Sequence, residues 1–255
     1  MSKNFQTIWI IGASSGIGAA VARKFHENPT SPDQKIIISA RNADKLNELA
    51  TEMPGLTPVA LDITDPNAVN AAFGTVEDKF GLPDLVILAA GIYSPMKLSA
   101  FSAETIRSHV ETNYVGIVNC LEPLLAKMRA RKSGEIAVMA SVAGYRGLPN
   151  ASAYGPTKAA LINLCESLHT ELSGSGVLLR VINPGFVKTR LTDKNDFEMP
   201  YLLEPEQAAD FIYRGLSGND KFEIAFPPPF VRQLKLTRIL PYPLFFKLMR
   251  KLIRA

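Results

Sequence analysis

The stretch Thr7-Ile8-Trp9-Ile10-Ile11-Gly12-Ala13-Ser14-Ser15-Gly16-Ile17-Gly18 runs from an unbroken apolar segment into three glycines and then a helical pattern. A continuous apolar run of this length fits a strand covered on both faces. Glycines let backbone approach a phosphate closely, and amides left free at a helix start point partial positive charge at a diphosphate. The spacing is GxxxGxG, which makes Gly12, Ser14, Ser15, Gly16, Ile17 and Gly18 candidate cofactor-binding positions. Taken alone, the stretch also reads as an ordinary tight turn between strand and helix.

Working outward, further β-type runs occur at Lys35–Ser39, Thr57–Ala60, Asp84–Leu88, Glu135–Ala140 and Val177–Asn183, separated by helix-length segments. Strand followed by helix, repeated, predicts an α/β fold with a doubly wound, mostly parallel sheet and helices on both faces. In such sheets ligands bind beyond the carboxyl ends of the strands, so the loops after Ile11, Ser39, Leu88, Ala140 and Asn183 should line the site. At 255 residues with 47% hydrophobic content the chain can bury one large core. The expected division is a catalytic domain over 1–226 and a basic segment over 227–255 that starts at Pro227-Pro228-Pro229.

The second run ends Ser39-Ala40-Arg41, where dinucleotide folds read the adenosine ribose. Arg41 cannot accept from a 2′-hydroxyl but can pair with a 2′-phosphate, which favours NADP(H) over NAD(H). A solvated Arg on the next helix turn is the plainer alternative. Asp62 either meets the adenine amino group or serves as a turn carboxylate, with Asp65 before Pro66 the better helix cap. The most discriminating feature is Tyr154-Gly155-Pro156-Thr157-Lys158, with Ser141 thirteen positions upstream at a strand end. Positions i and i+4 share a helix face, so the Lys158 ammonium would stabilise the Tyr154 phenolate and bring its pKa toward working pH. Pro156 requires that the helix begin there, placing Tyr154 at its mouth.

Gly12-x-x-x-Gly16-x-Gly18, Asn113, Ser141, Tyr154-x-x-x-Lys158 and Asn183-Pro184-Gly185 together resemble a single-domain short-chain dehydrogenase/reductase over roughly residues 7–189. The resemblance implies a seven-stranded sheet and interconversion of a carbonyl and an alcohol with a nicotinamide cofactor. It implies that Tyr154 donates or accepts the proton, Ser141 holds the substrate oxygen, and Lys158 binds the nicotinamide ribose. Asn113 would hold a water linking Lys158 to solvent. Ala90 and Gly91 would belong to the cofactor site, and Pro184, Gly185, Val187 and Thr189 would seat the nicotinamide. Two departures stand out. Many members carry Thr before the first glycine and Asn-Asn-Ala-Gly after the fourth strand, where this chain has Ile11 and Leu88-Ala89-Ala90-Gly91. Polar groups that brace the central sheet are therefore expected to be missing. Members also pair commonly through the helices bearing Asn113 and Tyr154–Lys158, which implies a homodimer or homotetramer.

Charge is uneven along the chain. Seven basic residues and no acid follow Glu223, so the formal +4 leaves −3 for the first 223 residues. The body has no basic face with a nucleic-acid motif, and no nucleic-acid partner is expected. Cys120 and Cys165 are far apart without metal or CxxC spacing, which fits a reducing, cytoplasmic setting and small buried hydrophobes. His26, His109 and His169 make no ligand spacing. No leader peptide or spanning helix is expected. On a helical wheel Leu244–Arg254 separates Lys247, Arg250, Lys251 and Arg254 from seven apolar residues. Such a helix either meets an anionic membrane surface, as a peripheral contact through 230–255, or packs on its own domain, the substrate mouth or a partner. With Phe226, Phe230 and Tyr242 it points to a hydrophobic substrate. Rival readings are a non-catalytic dinucleotide sensor or scaffold, against which the retained Ser141, Tyr154 and Lys158 speak, and an NAD-preferring dehydrogenase.

Overall fold

The computed structural model of the chain describes residues 3–254, with side chains through Lys251. Leu252, Ile253 and Arg254, part of the expected amphipathic pattern, have side chains outside the described residues. Strands β1 (Thr7–Ile11), β2 (Lys35–Ala40), β3 (Leu56–Ala60), β4 (Leu85–Leu88), β5 (Gly134–Met139), β6 (Val177–Pro184) and β7 (Glu223–Phe226) form one sheet. All pairs are parallel, in the order β3-β2-β1-β4-β5-β6-β7. Six strands fall on the runs expected from sequence, with ends displaced by at most one residue. The helices are α1 (Gly16–Glu27), α2 (Ala43–Glu52), α3 (Pro66–Phe80), α4 (Ala103–Val110), α5 (Gly116–Arg131), α6 (Gly155–Glu171), α7 (Pro205–Gly218), α8 (Pro228–Ile239) and α9 (Tyr242–Arg254).

Alternation along β1 shows why its sequence is apolar throughout. Ile8 and Ile10 enter a core shared with α1, α2 and α7, whereas Trp9 and Ile11 enter the opposite core, shared with α3, α5 and α6. Cys120 and Cys165 are buried in that second core. Local chemistry sets the helix starts. Asp65 caps α3 by accepting from the Asn67 amide at 2.9 Å with Pro66 in the first turn, and Asn42 and Ser102 cap α2 and α4. Pro58 pairs with Ile38 in β3, an edge strand where a missing N–H is tolerated.

The strand order reverses between β1 and β4, so the loops after these two strands part around a crevice at the carboxyl end of the sheet. The segment after β7 packs on the same end. Phe230 and Val231 of α8 are buried against Val142, and α9 docks through buried Phe245 and Met249. The Arg146 guanidinium, from the loop after β5, lies 3.9 Å from the Phe245 ring centre and donates to the Thr237 and Leu240 carbonyls.

Candidate active site

Gly12 closes β1 with φ +99°, and a Cβ there would come within 2.4 Å of the Ala90 nitrogen. The turn after β1 thus lies flush on the loop after β4, which only glycine permits. A Cβ at Gly18 would fall 2.1 Å from the Gly12 carbonyl oxygen, so the start of α1 folds against the turn. Ser15 stands at the helix start without making a side-chain cap. Among the described residues, no acceptor meets the amides of Gly16, Ile17 and Gly18. A narrow, glycine-walled row of open donors at a helix amino terminus fits the diphosphate of a dinucleotide.

The loops after the strands enclose a cavity of about 820 Å³. Gly12, Ser14, Ser15, Gly16, Ile17 and Gly18 line one end, with Arg41 and Asp62 beside them. Ala90, Gly91, Pro184, Gly185, Val187 and Thr189 line the middle, together with Ser141, Tyr154 and Lys158. Asp62 has one carboxylate oxygen engaged by the Thr64 amide and hydroxyl, at 3.0 and 2.8 Å, so the turn role holds while the group still borders the cavity. Asn113 is fully buried behind the cavity wall. It sits in a π-helical turn, Glu111–Val115, a wider turn that recurs at functional sites.

Asn113 also reaches the loop after β4. Its Oδ1 accepts from the Ile92 amide at 2.7 Å, while its Nδ2 donates to the Ile92 carbonyl at 2.9 Å and to Thr157 Oγ1 at 3.3 Å. The Ala89 amide donates to the Ile11 carbonyl at 2.7 Å. The Ala89 amide continues the β1–β4 ladder whatever its side chain, so the side-chain contact that reaches the loop after β4 comes from Asn113 in the turn before α5.

Tyr154 precedes α6, with Pro156 in the first turn as the sequence requires. Lys158 is buried and its Nζ donates to the Met139 carbonyl at 2.8 Å, standing 5.5 Å from the Tyr154 ring centre. Burial pulls the Lys158 pKa down to about 8. Burial pushes the Tyr154 phenol up to about 12; the nearby Ser141 lowers it and the Tyr93 hydroxyl raises it. The phenol is protonated at neutral pH, the state of a proton donor. Ser141 Oγ accepts from the Ala143 amide at 3.1 Å and donates to the Pro184 carbonyl at 3.4 Å, which fixes it at the end of β5. Asn183 is held from β7 by its 2.8 Å bond to Glu223, so the Pro184-Gly185 loop has a rigid root.

Sequence reading missed Tyr93, whose ring meets Tyr154 edge-on with centres 5.0 Å apart. Its hydroxyl donates to Asn195 Oδ1 at 2.7 Å, tying the loop after β6 to the ring that packs on Tyr154. Phe186 and Phe197 also went unread; with Phe230 they give the cavity an aromatic wall, Phe186 lying 5.5 Å from Phe230 and 5.8 Å from Phe197. No fixed spacing joins these positions.

A model of the short chain dehydrogenase family matches residues 6–199. The chain belongs to that family. An uncharacterized oxidoreductase of Myxococcus xanthus is 32% identical over 253 residues, covering 98% of both chains. Another from Staphylococcus haemolyticus is 33% identical, over 82% of this chain and 89% of its own. Among solved structures, a short-chain dehydrogenase from Streptomyces avermitilis superposes with a TM-score of 0.81 at 22% identity over 98% of each chain. A serine dehydrogenase complexed with NADP+ gives 0.79 at 22% identity, over 88% of this chain and 95% of its own. These likenesses agree with the seven-stranded fold. The enzyme is an oxidoreductase that acts on CH–OH or C=O groups with a nicotinamide dinucleotide. No helix among the described residues is long and apolar enough to cross a membrane.

Proposed function

We propose that the enzyme is an NADP(H)-dependent reductase or dehydrogenase of an apolar carbonyl or secondary alcohol, with Tyr154 as general acid and base. The observation that carries this reading is the convergence of Ser141, Tyr154 and Lys158 on one cavity beside the glycine turn. The dinucleotide, when bound, supplies or takes the hydride. As the carbonyl oxygen gains negative charge, Tyr154 gives it a proton and the Ser141 hydroxyl donates to it. Lys158 would hold the nicotinamide ribose, and its charge beside the phenol would steady the phenolate left behind. Asn113 fixes Ile92 and so the floor of the crevice.

Arg41 is exposed at the cavity edge where β2 ends, the position suited to a 2′-phosphate. The wall of Phe186, Phe197 and Phe230 supports an apolar substrate. Pairing of copies through α5 and α6 into a dimer or tetramer belongs to the same reading. Carbonyl compounds of graded chain length, followed by nicotinamide absorbance, test it. Tyr154→Phe should cut turnover by about 10²–10⁴-fold while NADPH binding is kept. Arg41→Ala should weaken NADPH by about tenfold and leave NADH unchanged. Turnover that survives Tyr154→Phe would refute the assigned acid, and equal cofactor affinities in Arg41→Ala and the parent would refute the preference.

A further inference from the structure

Val110 apart, every exposed large apolar side chain among the described residues belongs to three segments at the carboxyl end of the sheet. Leu98 and Phe101 stand after β4, and Phe197 and Tyr201 stand after β6, in the segment that also holds Leu191 and Leu202. The patch continues along α8 and α9 through Leu236, Ile239, Tyr242, Leu244, Phe246 and Leu248, which are 41–78% exposed.

These segments form one rim. Lys97 pairs with Asp196 at 2.6 Å, joining the loops after β4 and β6. Gln233 donates to the Tyr201 hydroxyl at 3.0 Å, and the Tyr201 ring lies 6.0 Å from Phe230, joining the loop after β6 to α8. Arg146 clamps α9 to the loop that carries Ser141. Because Leu191, Phe197 and Phe230 also line the cavity, the rim surrounds its mouth. Among the described side chains of α9, only the centre of the apolar arc, Phe245 and Met249, is covered by the domain; Leu244 and Leu248 on one side and Tyr242 and Phe246 on the other remain bare.

Charge decides what covers this surface. Arg232, Arg238, Lys247, Arg250 and Lys251 are exposed on α8 and α9, together with Lys235, which reaches Glu223. No acid follows Glu223 in the chain. In the segment 188–202, Lys188, Arg190 and Lys194 are balanced by Asp193, Asp196 and Glu198, so the excess belongs to α8 and α9. A two-fold contact with a second copy through this face would set cations against cations. A negatively charged surface with an apolar interior matches both properties.

We infer that the rim of the cavity, led by α8 and α9, seats on an anionic lipid surface and opens the active site toward it. This deepens the reading of an apolar substrate and rests on it, since such a substrate would then pass from bilayer to cavity without crossing water. The full chain is floated with vesicles of phosphatidylcholine alone and of phosphatidylcholine mixed with phosphatidylglycerol. It should float with the mixed vesicles and stay behind with the neutral ones. Lys247→Glu/Arg250→Glu/Lys251→Glu should lower the partition by about a hundredfold. Ile239→Ser/Leu244→Ser/Phe246→Ser should also abolish flotation; these side chains are exposed, so the fold is kept and is checked by circular dichroism. Both variants should reduce a water-soluble carbonyl at the parent rate without vesicles, which separates this proposal from the assignment of the active site. A parent that stays behind with both vesicles overturns the inference, as do variants that float like the parent. So does a parent dimer, seen by sedimentation, that the serine variant disperses while neither protein binds vesicles.

Discussion

Two cations are buried close to the same sheet, Arg180 in strand β6 and Lys158 on helix α6, and the protein treats them in opposite ways. Arg180, in β6, is wholly buried and fully partnered: it pairs with Glu135 at 2.9 Å and donates to the Lys221 and Asn219 carbonyls at 2.7 and 3.0 Å. Glu135 is in turn met by Lys3, which also reaches Asp220. Lys158 is buried as deeply but has one neutral carbonyl for a partner, and burial alone moves its pKa. A charge given every partner is part of the scaffold; a charge left uncompensated is held ready for something else. The first lies toward the amino-terminal side of the sheet and the second at the carboxyl end, where α/β sheets bind ligands.

The difference is sharpened first by Lys158→Met, which should lower turnover by about 10²–10⁴-fold without lowering stability at neutral pH. Its effect on stability also has a sign. The folded pKa of about 8 lies below the ordinary 10.5, so between these values the unfolded chain binds more protons and stability rises with pH. Denaturant titrations from pH 8 to 10 should show that rise in the parent and a smaller one in Lys158→Met; equal slopes would break the contrast. Glu135→Ala should do the reverse, destabilising the fold by about 3–5 kcal/mol in urea while turnover per folded molecule is unchanged. A loss of turnover beyond the unfolded fraction would mean that the Arg180 cluster serves the reaction after all. The smallest effect concerns Tyr93. Tyr93→Leu, which removes the edge-on ring, should reduce kcat by about fivefold, an aromatic contact of about 1 kcal/mol being lost. Tyr93→Phe keeps the ring and loses the bond to Asn195 together with the hydroxyl's upward push on the Tyr154 phenol, so it should move KM and the pH profile more than kcat at neutral pH; identical behaviour of the two variants would remove the positioning role.

What could be read beforehand was what is local in sequence. The glycine turn, the cap at Asp65 and the Tyr154–Lys158 pair each lie within a few residues, and the folded chain keeps them together. The strands of the interior were legible because both faces are covered. The seventh strand was not marked by its own residues: Glu223–Phe226 is four residues long at the sheet edge, with burial on alternate positions only. Tyr93, Phe186 and Asn195 meet across loops brought together by the winding of the sheet, and no spacing encodes that. Without Asn at position 89 the sequence left open what reaches the loop after β4, because the bonds between Asn113 and Ile92 that do so span 21 positions. Helix spacing gave Lys158 the right face, but only the folded chain shows that its ammonium donates to the Met139 carbonyl while standing beside the Tyr154 ring.

The central claim is that an uncompensated ammonium beside Tyr154 marks the reaction centre. Titrating that ammonium tests it most directly, using carbon-labelled lysine and magnetic resonance, with Lys158→Met to identify the signal. A midpoint near 8 is expected for the protein without cofactor. A midpoint at the ordinary 10.5 would mean that Lys158 is solvated or paired, and would contradict the account.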